Sequence, residues 1–185
     1  MGQIIHPQEW NSTIDYENKK VAVIGSGATA VTLVPQIAKK ASHVTMIQRS
    51  PTYIASVPSK YKILHLLNYI SPKFGYKIIR FTNILRQRRI YRRARRSPEL
   101  VKDYLLGLVR DELPDFDIEK HFTPSYNPWE QRLCLAPDSD FFESIKQKRV
   151  SIETETIDSF SEKGVQLDSG KLIEADIIVT ATGIK

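Results

Sequence analysis

Lys19-Lys20-Val21-Ala22-Val23-Ile24-Gly25-Ser26-Gly27-Ala28-Thr29-Ala30 sets a short apolar run directly before G-x-G-x-x-A, and the residues that follow read as helix. This order of strand, glycine turn and helix predicts a β-α-β unit over 19–50 that receives a dinucleotide. Gly25 permits the tight turn, Gly27 clears a path for a pyrophosphate, and Ala30 lets the helix pack on the strand. Free N–H groups and the positive end of a helix starting near Ala28 would hold the pyrophosphate, with hydroxyls from Ser26 and Thr29 beside them. The next strand, His43-Val44-Thr45-Met46-Ile47, runs into Gln48-Arg49-Ser50. A ribose-pairing carboxylate is missing there, and the Arg49 guanidinium can grip a 2′-phosphate. The expected dinucleotide is therefore NADP and not NAD.

Outward from this unit, residues 1–18 read as an irregular lead-in and Pro51 to about Pro58 as loop. Residues 59–113 read as mostly helical, through Tyr61–Leu67, an arginine-rich helix after a break at Ser71-Pro72, and a third helix from Pro98 to Leu113. Prolines 114, 124, 128 and 137 make 114–138 extended and loop-rich. Asp138-Ser139-Asp140 reads as the cap of a helix reaching Lys148. Val150–Glu153 is a short strand, and a meander follows over Thr156–Phe160, Gly164–Leu167 and Lys171–Ile173. Asp176–Thr180 is a continuous apolar run, as in a strand covered on both faces, and delivers Ala181-Thr182-Gly183. The expected fold is α/β: a Rossmann-like three-layer NAD(P)-binding domain with a mainly parallel sheet, a β-meander crossover and a helical insertion.

With 185 residues, 41% of them hydrophobic and 26% charged, the chain is long enough to bury a core. Its single cysteine, Cys134, rules out an internal disulfide and a cysteine-built metal site, and fits a reducing, cytoplasmic setting. His6, His43, His65 and His121 lack ligand spacing, so no metal is expected. The net charge of +6 gathers at Arg86, Arg88, Arg89, Arg92, Arg93, Arg95 and Arg96. Nucleic acid and anionic lipid are both candidate partners for such a cluster. A solvated helix end is preferred, because Phe74, Ile78, Phe81 and Leu85 predict a buried face just upstream. The abrupt start and end suggest a segment of a longer protein.

Gly2, His6 and Trp10 follow G-x3-H-x3-W, with Asn11 next. This resembles the fingerprint of class B flavoprotein monooxygenases, the Baeyer–Villiger and flavin-containing enzymes, which close the motif with Pro or Asp. Gly25–Ala30 resembles that family's second glycine motif, Gln48-Arg49-Ser50-Pro51 its 2′-phosphate reader, and Ala181-Thr182-Gly183 its return to the FAD domain. Tyr126–Cys134 looks like the Baeyer–Villiger branch that includes the ethionamide-activating enzyme. The resemblance spans essentially the whole chain.

By this resemblance, 1–18 is an interdomain fingerprint segment and 19–185 an NADPH-binding domain with its helical insertion at about 59–113, while the FAD-binding domain lies outside the chain. In the family NADPH reduces FAD, oxygen adds to the flavin, and the resulting C4a-peroxyflavin attacks a ketone or a soft heteroatom. The resemblance assigns Arg132 to stabilising the anionic peroxide; from the residues alone it reads as an ordinary surface arginine. His6 is likewise assigned to coupling domain movement with cofactor handling, and Cys134 reads as a packing residue. NADP-site residues are then Gly25, Ser26, Gly27, Ala28, Thr29, Ala30, Arg49, Ser50, Ala181, Thr182 and Gly183. The partners implied are a small substrate, O2 and the FAD-binding part of the same polypeptide. Alternatives are the NADPH domain of an N/S-oxygenating flavin-containing monooxygenase or of another pyridine-nucleotide flavoprotein. A disulfide reductase is disfavoured, since Cys134 stands alone. So is a nucleic-acid or membrane-surface binder built on the arginine helix.

Overall fold

The computed structural model describes residues 2–11, 13–59 and 71–183. The helix expected over Tyr61–Leu67, with His65, lies outside the described residues. A five-stranded parallel sheet forms the centre, in the order β1 (Gln3–Ile5), β10 (Ile177–Thr180), β2 (Lys20–Ile24), β3 (His43–Gln48), β6 (Val150–Thr154). Its inner strands are apolar on both faces because both faces are covered. On one side Val21, Val23, Val44, Met46, Ile152 and Val179 meet α1 (Ala28–Ile37) and α5 (Asp140–Lys146). On the other, Ala22, Ile24, Ile47 and Ile178 meet Val165, Leu167 and Ile173 of the antiparallel meander β7 (Ile157–Ser161), β8 (Gly164–Leu167) and β9 (Leu172–Glu174). Helices, sheet and meander make the three layers, and the meander carries the chain from β6 to β10.

The helical insertion comprises α2 (Pro72–Arg96) and α3 (Pro98–Glu112), which meet at Ser97; a short α4 (Ile118–Phe122) follows. Pro72 and Pro98 each occupy a first helical turn, where a missing N–H costs nothing. Ser139 precedes α5, as the sequence suggests, but in a left-handed conformation and without a side-chain cap. Its hydroxyl donates instead to Glu112 at 2.6 Å, tying α5 to the end of α3.

Three expectations need correction. The irregular lead-in contains a true strand: β1 pairs in parallel with β10, Gln3 opposite Ile177 through Ile5 opposite Val179. The loops at 51–58 and 114–138 contribute β4 (Tyr53–Val57) and β5 (Leu133–Pro137), a separate parallel pair. Its partners stand about 80 residues apart in sequence, so no local pattern announces it; Pro137 falls at its end, where a missing donor is tolerated. Finally, the stripe Phe74, Ile78, Phe81, Leu85 is not a buried face. Phe74 is 56% and Phe81 62% exposed, and only Gly75 and Ala94 of α2 are buried.

Candidate functional site: a cleft at the carboxyl edge of the sheet

Parallel strands deliver their loops to one edge, and there β2, β3, β6 and β10 enclose a cleft of about 650 Å3. Gly25, Ser26, Gly27, Ala28, Thr29, Arg49, Ser50, Arg132, Ala181, Thr182 and Gly183 all line it. Ala30 does not. It is fully buried beneath the loop, in the core shared by α1 and the sheet.

Two glycines shape the floor in different ways. Gly25 has φ +128°, and a Cβ there would lie 2.4 Å from the Ala181 carbonyl oxygen. The glycine loop and the end of β10 therefore touch backbone to backbone, while the Gly25 N–H ties the loop to β3 on its other side, donating to the Ile47 carbonyl at 2.8 Å. Gly27 faces the cleft, where a Cβ would meet only the Arg132 guanidinium, 3.5 Å away. Gly27 also caps α1 without any side-chain acceptor, leaving the first N–H groups of the helix for a ligand. A pyrophosphate fits this donor set. The Ser26 hydroxyl is engaged, donating to the Ser50 carbonyl at 3.2 Å, so it braces the loop against the Arg49-Ser50 turn.

Arg49 emerges exposed at the end of β3, directly after the buried Gln48. The Gln48 amide donates to the His121 carbonyl and to the Thr154 hydroxyl, each at 2.8 Å, which fixes the strand end from which Arg49 projects. Arg132 is placed by Tyr126. The Tyr126 hydroxyl donates to the Arg132 carbonyl at 3.2 Å and contacts the Thr52 hydroxyl at 2.8 Å, while Tyr53 donates to the Tyr126 carbonyl at 2.8 Å. Burial pushes the Tyr53 hydroxyl up to about 12, so it remains a donor at neutral pH. Cys134 is buried behind the loop, 3.8 Å from the Ser26 carbonyl, and burial raises its thiol pKa. That is a packing residue, not a poised nucleophile.

Of the fingerprint residues, His6 bonds to a residue that lines the cleft, whereas Gly2 stands at the opposite, amino edge of the sheet. His6 Nδ1 accepts from the Gln8 N–H at 3.3 Å, so Nε2 carries the proton and donates to the Gly183 carbonyl at 3.0 Å. Gly2 sits where a Cβ would come 2.9 Å from the Asp176 carbonyl oxygen, against the start of β10. Trp10 packs edge-on against Tyr16 at 5.5 Å, outside the cleft.

Reading the motifs misses Glu155, Thr156 and Ile157, which form the wall at the end of β6. Hydrogen bonds from Ser169, side chain first and backbone N–H second, hold the Glu155 carboxyl below its ordinary range. The available signal is topological: β6 runs parallel to β3, so the residues after its carboxyl end stand at the same edge as Arg49.

Comparison with known proteins sets this geometry in context. No family model matches the chain. It is 50% identical over 186 residues to the probable FAD-binding monooxygenase AlmA of Acinetobacter baylyi, covering all of this chain and 37% of that protein. It is 48% identical over 187 residues to the FAD-containing monooxygenase EthA of Mycobacterium tuberculosis, again over the whole chain and 38% of the relative. The same organism's putative FAD-containing monooxygenase MymA is 47% identical over 99% of the chain. The fold matches oxidized steroid monooxygenase bound to NADP with a TM-score of 0.76 at 18% identity, covering 98% of this chain and 42% of that one. It matches cyclohexanone monooxygenase with a TM-score of 0.74 at 20% identity, covering 100% of this chain and 43% of that one. The chain spans a little over a third of the length of the curated relatives it matches. Along that whole span it is similar to one portion of the FAD-containing monooxygenases EthA, AlmA and MymA.

Proposed function

We propose that this chain is the NADP-binding portion of an FAD-dependent, Baeyer–Villiger-type monooxygenase. The observation that carries the reading is convergence: the glycine loop, Arg49, Arg132 and Ala181–Gly183 come from four separate parts of the sequence to one cleft. NADP would lie with its pyrophosphate on the N–H groups that begin α1 and its 2′-phosphate against Arg49. Glu155, tied back by Ser169, would border the adenosine end and disfavour any anion not already paired by Arg49.

FAD, held by the part of the polypeptide that these 185 residues do not span, would take hydride from NADPH and activate dioxygen. The contribution of this chain is to hold NADPH and to set Arg132 at the mouth of the cleft. A guanidinium keeps its proton at any working pH and offers several fixed donors to anionic oxygen. The substrate would be a ketone or a soft heteroatom, and the buried thiol of Cys134 suits a reducing, cytoplasmic setting. The position of Arg132 beside Gly27 also favours a second role, a direct hold on the pyrophosphate.

Calorimetry tests the reading. NADP is expected to bind the chain more tightly than NAD, with the preference lost in Arg49→Ala; equal affinities would sink it. In the intact enzyme, a purely oxygen-stabilising Arg132 predicts that Arg132→Ala lowers turnover and leaves the NADP affinity unchanged. A pyrophosphate contact predicts that both fall. The 185-residue chain itself is expected to purify colourless and without oxygenase turnover. Stoichiometric flavin absorbance would show that the FAD site lies within it.

A further inference from the structure

Helix α2 holds ten lysines and arginines and no aspartate or glutamate in its 25 residues. At 100° per residue, Phe74, Ile78, Phe81 and Leu85 fall on one stripe. That stripe is not covered: Phe74 and Phe81 are exposed and Ile78 and Leu85 only half-buried. Farther along the same side, Arg89, Arg92, Arg93 and Arg96 follow at spacings of three, one and three, and line a hollow of about 510 Å3 with Ser97 as its only other wall. None of these four makes an ion pair among the described residues. The favourable end of the helix dipole accounts for cations in the last turn, but not for Arg89 or Arg92 further back. The buried face that would have made the arginines a mere solvated end is absent from α2, as the exposures show.

We propose that this side of α2 is a docking surface for an anionic phospholipid bilayer. The cluster of four guanidiniums, with no carboxylate in its walls, is complementary to lipid phosphates. The aromatic and aliphatic stripe continuing from it supplies the side chains that enter the headgroup–acyl boundary. The helix lies in the surface and does not cross: none among the described residues is long and apolar enough to span a membrane. The proposal is independent of the nucleotide reading, since no α2 residue lines the cleft.

The test is co-sedimentation of the intact protein with vesicles of phosphatidylglycerol, with phosphatidylcholine vesicles and duplex DNA as comparisons. Binding to phosphatidylglycerol alone, weakening steeply with added salt, is the expected result. Each basic residue near an anionic surface is worth roughly a fivefold change in partition, so a variant carrying R89Q, R92Q and R96Q should lose roughly 100-fold. A second variant, with F74S and F81S, should lose several-fold while retaining the salt dependence. All five positions are exposed, and unchanged circular dichroism and NADP affinity would establish that the variants fold. Equal binding to both lipids, tighter binding to DNA than to phosphatidylglycerol, or self-association that consumes the stripe without vesicle binding would each overturn the proposal. The salt titration of the unaltered protein decides the electrostatic half even if a variant misfolds.

Discussion

Helices α1 and α2 both carry apolar residues at helical spacing, yet the two stripes meet opposite surroundings. In α1, Ala30, Val31, Val34 and Ile37 are buried against the sheet, with β5 closing over them. In α2, Phe74 and Phe81 stand in solvent although they are larger. Periodicity thus identifies a face but not what the face meets. α1 is flanked by two strands that must pair, and their pairing forces it onto the sheet; α2 belongs to an insertion whose placement no strand dictates.

The largest expected effect on this contrast comes from the core. Phe141→Ala in α5, whose side chain is fully buried with its ring edge-on to Phe142, should cost about 3–5 kcal/mol in denaturant unfolding. A loss below about 1 kcal/mol would mean that the core is looser than its packing implies. Gly25→Ala comes next. The left-handed backbone costs about 1–3 kcal/mol for a residue with a Cβ, and the Cβ overlaps the Ala181 carbonyl. Thermal unfolding should shift down and NADP affinity should collapse together, whereas a change in affinity alone would locate the fault in the cleft and not in the β2–β10 contact. Arg49→Ala should then weaken NADP by roughly 1.5–3 kcal/mol, about 10- to 150-fold, and leave NAD nearly untouched.

A smaller effect concerns pH. Burial, then the neighbouring Lys120, holds the His121 imidazole below its ordinary 6.5. The unfolded chain therefore takes up this proton first on acidification. Stability from the neutral ring is complete above about pH 6.5 and is lost as pH falls through the lower folded value. Melting temperature should decline on that acid side, and His121→Gln should flatten the decline. Phe81→Ala closes the series: a change within about 0.5 kcal/mol is expected, and a loss like that of Phe141→Ala would show that the α2 stripe is covered in solution.

Much of the architecture is legible in the sequence because its cues are local. The run from Lys19 to Ala30, the strand into Gln48-Arg49-Ser50 and the turns at Gly164 and Gly170 each announce themselves within a dozen residues. The parallel sheet then follows, since a β-α-β unit leaves few other arrangements. What escapes is whatever depends on a distant partner. β4 and β5 are short, bordered by prolines and mutually stabilising, so neither reads as a strand without the other. β1 is three residues long and exists because β10 offers an edge. Glu155 escapes for a related reason: nothing in Thr154-Glu155-Thr156 suggests chemistry until β6 is known to stand beside β3. Arg132 is legible only through resemblance, since the Tyr126 hydroxyl network that sets its backbone is tertiary.

The contact between Gly25 and Ala181 has a bearing on redesign. Two main chains pressed together leave no side chain to enlarge, trim or repack, so the floor of the cleft is closed to gradual alteration. In the proposed reading, any attempt to retune nucleotide choice must act through the wall where β3 and β6 end side by side, at Arg49 and Glu155, while Gly25 and Ala181 are kept. Libraries that spare the floor and vary those two positions together should yield folded proteins far more often than libraries that vary the glycine loop.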